Sequence, residues 1–299
     1  MNIPAAVTKR LNELMLDPLA IQNPNFAAED LDYHEPPSIG LPGGATRGSW
    51  SYDGVVFEFR LVGQISGHQT FLGDYGDLFF TRDRSRKVVT AEFALADVTK
   101  AKRKVTLAIP HVSSEDSHHQ VLRRQFEHLQ DIENENLREF RSETTTKKTS
   151  FVVKTDTHWR ASTLSDNIFV IYESLQVDLP SAAGFDPKGI VSKLPGDVRD
   201  KMQVMPFEFV GPDGQAVDHA AADATFRPGT WVDLACSLTV WSSRRQTNDA
   251  RFGSPTGIAR SYQIRIDGMQ KLSGGRLREG PLRTEPAPRL TKRKFSAVE

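Results

Sequence analysis

One segment decides the fold class. Residues 117–141 keep helical spacing through Leu122, Phe126, Leu129, Leu137 and Phe140, and Ser117 with Gln120 is placed as a capping box at their start. The rest of that segment is strongly polar, so the predicted helix has one apolar stripe and no second long helix to pack against. On either side the sequence alternates apolar and polar residues with the period of strands. Strands, one long helix, then strands again exclude a doubly wound α/β fold. They predict a mainly β chain, either an antiparallel β-barrel or a β-sandwich, with the helix closing one face or one end.

The strand segments read as follows. Residues 55–62 alternate Phe57, Phe59 and Leu61 with Glu58 and Arg60, and 68–80, 87–94 and 104–109 continue as a meander. After the helix, strands are expected at 150–155 and 168–179, and a hairpin at 207–217 around Gly211-Pro212-Asp213-Gly214. The two clearest strands are 231–241 and 261–269. Near the start, Val7, Leu11, Leu14 and Met15 share one face of a short helix over 4–16, followed by a proline-punctuated loop at 22–49. Three regions result: an N-terminal helix and irregular arm (1–49), a single elaborated β domain (50–272), and a disordered basic tail (273–299).

Charge sharpens the reading only locally. Across 299 residues, 38 basic and 38 acidic side chains cancel, leaving no global field for a polyanion or an anionic membrane. Residues 1–60 hold four basic and eight acidic groups, whereas 82–104 hold eight basic and three acidic. From Phe226 onward there are fourteen basic and six acidic groups. The lone cysteine, Cys236, excludes an internal disulfide and suits a reducing compartment, so an intracellular protein is expected. Lys292-Arg293-Lys294 offers a nuclear-import address. No run of eighteen apolar residues occurs, and no membrane partner is expected.

Catalytic signatures fail on inspection, and no enzyme and no cofactor are expected. The segment from Gly43 to Ser49 lacks the lysine of a phosphate loop and the apolar strand before it. His111, Glu115, Asp116, His118 and His119 crowd together, and His158 follows Asp156, yet no strand motif of the His-x-Asp or His-x-His kind accompanies them. A polar helix N-terminus explains the cluster better than a metal. A metal-dependent β-barrel enzyme therefore ranks third among the functional readings.

Residues 231–241 carry the strongest pattern. Val232, Leu234, Cys236, Leu238 and Val240 form one apolar face. Trp231, Asp233, Ala235, Ser237, Thr239 and Trp241 form the other, polar except for two indoles. Solvent-side tryptophans suit base stacking. The connection to the next strand carries Arg244, Arg245, Arg251 and Arg260 with Phe252, and Arg265 follows on the polar face of the returning strand. Arginines on a loop beside aromatic platforms can pair with phosphates and stack on bases.

The stretch from Phe226-Arg227-Pro228-Gly229 through 231–241 to 262–272 resembles the closing half of an OB-fold of the replication-protein type. There, a Pro-Gly turn introduces a strand, a basic loop follows, and a last strand closes the barrel. The resemblance implies single-stranded DNA or RNA bound across the sheet, with Trp231 and Trp241 as stacking platforms. It implies that Arg244, Arg245, Arg251 and Arg265 hold phosphates and that the long helix lies between the third and fourth strands. The competing reading is a structural or scaffold β-protein, capsid-like and homo-oligomeric, whose tryptophan face is a protein interface.

Overall fold

Backbone hydrogen bonding in the described residues is dominated by two long strands near the end of the chain. The computed structural model describes residues 3–35, 46–72, 98, 100–110, 116–140, 145–156, 158–171, 191–205, 207–245 and 257–274. In chain order these contain α1 (Ala5–Leu16), β1 (Asp32–His34), β2 (Thr46–Tyr52), β3 (Val55–Val56), β4 (Glu58–Ile65) and β5 (Lys102–Pro110). The long helix α2 (Ser117–Glu139) follows, then β6 (Thr146–Thr149), β7 (Val152–Lys154), β8 (His158–Asn167) and β9 (Phe169–Ile171). Short elements α3 (Gly196–Arg199), β10 (Met202–Val204), β11 (Glu208–Val210) and α4 (Ala222–Thr225) lead to β12 (Trp231–Arg245) and β13 (Gly257–Ser273). The protein is mainly β with one long helix, as the alternation predicts.

Strand pairing runs β12–β4–β5–β8–β13, and β13 pairs again with β12. The β8–β13 contact is parallel and the other four are antiparallel. β1 and β2 attach to the second half of β12, and β11 runs parallel to the end of β13. Strand β12 reaches four residues beyond the predicted end, and β13 starts four before its predicted start, so the connection between them shortens to 246–256. β1 lies inside the predicted 22–49 loop, and β2 begins in it. β8 was not expected as a strand, because its inward residues after Trp159 are Ala161, Thr163 and Ser165, too small and polar to register as an apolar face. The predicted strand at 87–94 lies outside the described residues, as do 73–80 of the predicted 68–80 strand and 172–179 of the predicted 168–179 strand.

Helix α2 sits in the chain between β5 and β8, after two strands of the pairing circuit rather than three. Its cap is Asp116, whose carboxylate accepts the His118 N–H at 2.9 Å, and not Ser117. Val121, Leu122, Phe126, Leu129 and Ile132 bury its apolar stripe. Three polar residues on the same stripe, Gln125, Glu133 and Asn136, are equally buried, and the first two complete breaks in the sheet. β4 pairs with β5 only at Gln64 and Ile65, which leaves the edge of β4 open at Val62. There the Gln125 side chain accepts the Val62 N–H and donates to the Val62 carbonyl, standing in for a neighbouring strand. Glu133 accepts the Phe151 N–H at 2.8 Å and the Lys147 ammonium at 2.6 Å, joining β6 to the start of β7. Asn136 holds β13, as described below.

Core residues run from Val7 of α1 to Met269 of β13 in one connected cluster. The N-terminal segment is therefore part of the core rather than an arm beside it: Val7 and Leu11 are fully buried. The β2–β3 turn is tight, with Asp53 and Gly54 both at positive φ (48° and 77°), the two-residue geometry that matches strand twist.

Candidate nucleic-acid interface

The inner faces of β2, β12 and β13 are filled at one end by an aromatic layer. Phe140, Tyr33, Trp50, Phe151 and Tyr262 contact one another in series, with ring centroids 5.0 to 5.7 Å apart. Gly48 permits this layer, since a Cβ there would stand 2.1 Å from the Tyr33 hydroxyl oxygen. Arg260 lies within the layer, only 2% exposed. Its guanidinium donates to Asn136 Oδ1 at 2.8 Å and Glu35 Oε2 at 2.9 Å, and stacks over Phe140 (4.1 Å) and Tyr33 (5.5 Å). Tyr262 donates to the same Asn136 oxygen at 2.8 Å, and burial pushes its hydroxyl up to about 12, keeping it a donor. Arg260 is thus a buried structural cation on β13, not a loop residue free to meet a phosphate.

Glu35 closes this node. Burial alone would raise its pKa, but hydrogen bonds from Thr46, Ser242 and Tyr33 and the Arg260 charge together hold it below the ordinary 4.5. A carboxylate with a lowered folded pKa stabilises the fold fully above its unfolded value and loses that contribution as pH falls through the lowered one. Wild-type stability should therefore drop between about pH 5 and pH 3 more steeply than that of Glu35→Gln, as read by denaturant unfolding at each pH. Parallel curves for the two proteins would remove Glu35 from the acid limb.

The predicted pair of exposed indoles separates. Trp231 is 2% exposed, and its neighbours on that face are sealed as well: Asp233 is fully buried, held by Arg10 of α1 at 2.7 Å and Arg60 of β4 at 2.8 Å. The first half of the polar face is thus covered by the N-terminal helix, and Trp231 cannot be a stacking platform. Trp241 differs. Trp50, Trp159 and Trp231 are all buried, and Trp241 is the one tryptophan of the chain left half-buried. It stands directly across from Arg47 of β2, whose guanidinium lies 5.7 Å from the ring centroid. Arg47 is exposed and has no carboxylate partner among the described residues.

Around Trp241 the outward residues are small and polar. Register places Ser49, Thr239 and Gln263 in one row across β2, β12 and β13, and Arg47, Trp241 and Ser261 in the next. β6 adds exposed Lys148 beyond Ser261. Arg265 shares a row with Ser237, four residues or about 13 Å along β13 from Ser261. Its guanidinium already meets Asp166 (3.1 Å) and Asp267 (2.9 Å), so it is largely neutralised where it stands. The backbones of Arg244 and Arg245 extend β12 beyond Trp241, opposite Ile258 and Gly257. Arg251 and Phe252 lie outside the described residues.

Sequence reasoning missed Arg47 and Lys148. The alternation Thr46, Gly48, Trp50, Tyr52 was available as a strand signal for β2, but Gly48 and the preceding glycines disguised it as loop. Of the 82–104 basic cluster, Arg103 is 1% exposed, stacked against Phe207 (5.3 Å) and Phe209 (5.7 Å), and Arg82, Arg84, Arg86 and Lys87 lie outside the described residues.

Cys236 is buried, and that burial pushes its thiol well above the ordinary value, as suits a small apolar core residue. His119 is buried and the His118 ring lies 3.2 Å from Asn12 Oδ1, and among the described residues no three His, Cys, Asp or Glu side chains are grouped to hold a metal. His111 and Glu115 lie outside them. No helix among the described residues is long and apolar enough to cross a membrane.

No protein-family model matches the chain, and no curated protein sequence does. Among solved structures, similarity is found to gp2.5, a single-stranded DNA binding protein encoded by bacteriophage T7, with 10% identity, 81% of this chain and 98% of that chain covered, and a TM-score of 0.32. The single-stranded DNA-binding protein from bacteriophage Enc34 is similar at 9% identity, covering 85% of this chain and 98% of that one, with a TM-score of 0.33. Scores this low leave the question of ligand to the side chains of the chain itself.

Proposed function

We propose that this protein binds single-stranded nucleic acid on the outer face of β2, β12 and β13, around Trp241. The observation that carries the reading is the Arg47–Trp241 pair: a half-buried indole and a guanidinium with no carboxylate partner among the described residues, directly opposite on adjacent strands, beside small polar side chains. An indole offers a π-face to any base, and a guanidinium beside it can hold the phosphate or cover the base's second face. Lys148 and the arginines at 244, 245 and 251, with Phe252, would continue the contact to either side of the ring. Arg265 would join only by exchanging its carboxylates for phosphate.

A closed circuit of strand pairing, which we read as an OB-like barrel, supports this proposal. The circuit runs β12–β4–β5–β8–β13–β12, with its single parallel contact between β8 and β13, as a small closed sheet would. In it α2 covers the gap beside β4.

Titration with an oligothymidylate tests the function. Three of four tryptophans are sealed, so quenching should be confined to the Trp241 share of the emission, and affinity should fall as salt rises, with a slope of about −0.7 per phosphate neutralised. No quenching at low salt, or an affinity indifferent to salt, would end the proposal.

A further inference from the structure

A second surface has a chemistry opposite to the first. Between residues 11 and 46 the chain holds six acidic residues and no lysine or arginine. Part of this stretch, with Tyr52 and Phe57 on either side of the β2–β3 hairpin, lines an open groove whose apolar walls are Leu19, Phe26, Leu31, Tyr52 and Phe57, with Asp30 at its rim. Phe26 and Phe57 stack at 5.9 Å to form its floor. Close in sequence to these walls, Leu16 is 85% exposed, Val55 70% and Val56 56%. Asp17, Glu29 and Asp53 are exposed in the same segments. Apolar walls within an acidic rim suit a peptide in which leucines alternate with basic residues.

The chain carries such a peptide. After Gly274 comes Arg276-Leu277-Arg278, then Leu282-Arg283, and Arg289-Leu290 further on, and the 25 residues beyond Gly274 hold seven basic and three acidic groups. Reach is sufficient. Ser273 pairs with Trp231, two residues from Asp233, which Arg10 of α1 grips, and α1 ends at Leu16 on the edge of the groove. The eight residues to Leu282 and the sixteen to Leu290 span up to about 26 Å and 53 Å when extended. We infer that the acidic-rimmed groove between the end of α1 and the β2–β3 turn is the docking site of this chain's own C-terminal segment, residues 276–290. The leucines fill the apolar floor and the arginines face Asp30 and its exposed neighbours. This contact lies apart from Trp241 and does not rest on the nucleic-acid reading.

Site-specific photo-crosslinking on the full chain tests it, without nucleic acid. A photoreactive residue replaces exposed Leu19 in an equal mixture of isotopically light and heavy protein, and mass spectrometry locates the products. Crosslinks to 276–290 within one chain are expected. The yield should fall at least about five-fold in 1 M salt, where screening is nearly complete, and equally in Arg276→Glu/Arg278→Glu/Arg283→Glu. Asp30→Lys, at an exposed position, should lower it without disturbing the fold. Products elsewhere, or a yield indifferent to both charge reversals, would overturn the inference, and light-to-heavy products would overturn it in favour of a second copy.

Discussion

Arg260→Ala lowers the free energy of unfolding by about 3–5 kcal/mol, the range for removing one partner of a buried ion pair. The side chain joins three elements at one point: Glu35 beside β1, Asn136 of α2, and β13 itself. Its loss leaves the Glu35 carboxylate, 21% exposed, without its countercharge, and opens a cavity between Phe140 and Tyr33. Arg260→Lys separates the two contributions. It keeps the charge but loses the planar group that lies against two rings and reaches both partners, and it should fall between wild type and alanine. Urea unfolding followed by circular dichroism reads all three. A midpoint for the alanine variant within about 0.5 kcal/mol of wild type would show that the aromatic layer stands without its cation.

The same residue shows where legibility in the sequence ends. Alternation reports which residues share a face, and the apolar face of 231–241 is buried from Val232 to Val240 as read. Alternation does not report what covers the other face. Trp231 and Trp241 are equivalent by pattern, and only the placement of α1, with Arg10 on Asp233, makes one core and leaves the other half-open. Arg260 was assigned to a loop because a charged residue at an inward strand position breaks the pattern. Its compensation, Glu35 and Asn136, lies more than 120 residues away in sequence. A bulge compounds this: Ala235 pairs with Gly268 and Cys236 with Ile266, so Asp267 is unmatched and the faces of β13 exchange there. Helix α2 was legible from its apolar stripe, but the polar residues that dock it were not. Gln125, Glu133 and Asn136 read as solvent-facing until the interrupted strands beneath them are known.

Trp241→Ala weakens oligonucleotide binding by about 1–3 kcal/mol, the cost of one lost base stack, while leaving the unfolding midpoint nearly unchanged because the ring is only half-buried. Three companion variants make the result specific. Trp231→Phe keeps an aromatic ring in the sealed position and should leave affinity unchanged, the reverse of what two equivalent platforms would give. Arg47→Ala should weaken binding and flatten the salt dependence by about one phosphate's worth, whereas Arg47→Lys should restore the salt slope and only part of the affinity, since an ammonium cannot stack. A double variant at 47 and 241 should lose less than the sum of the single losses, because the guanidinium and the indole act on the same nucleotide across one cross-strand pair. Equal affinities for wild type and Trp241→Ala would move any nucleic-acid site off this face. If a stable oligomer then appeared in sedimentation at micromolar concentration, and dissociated on Trp241→Ala, the exposed indole would be a protein contact instead, and the face would belong to a self-assembling scaffold.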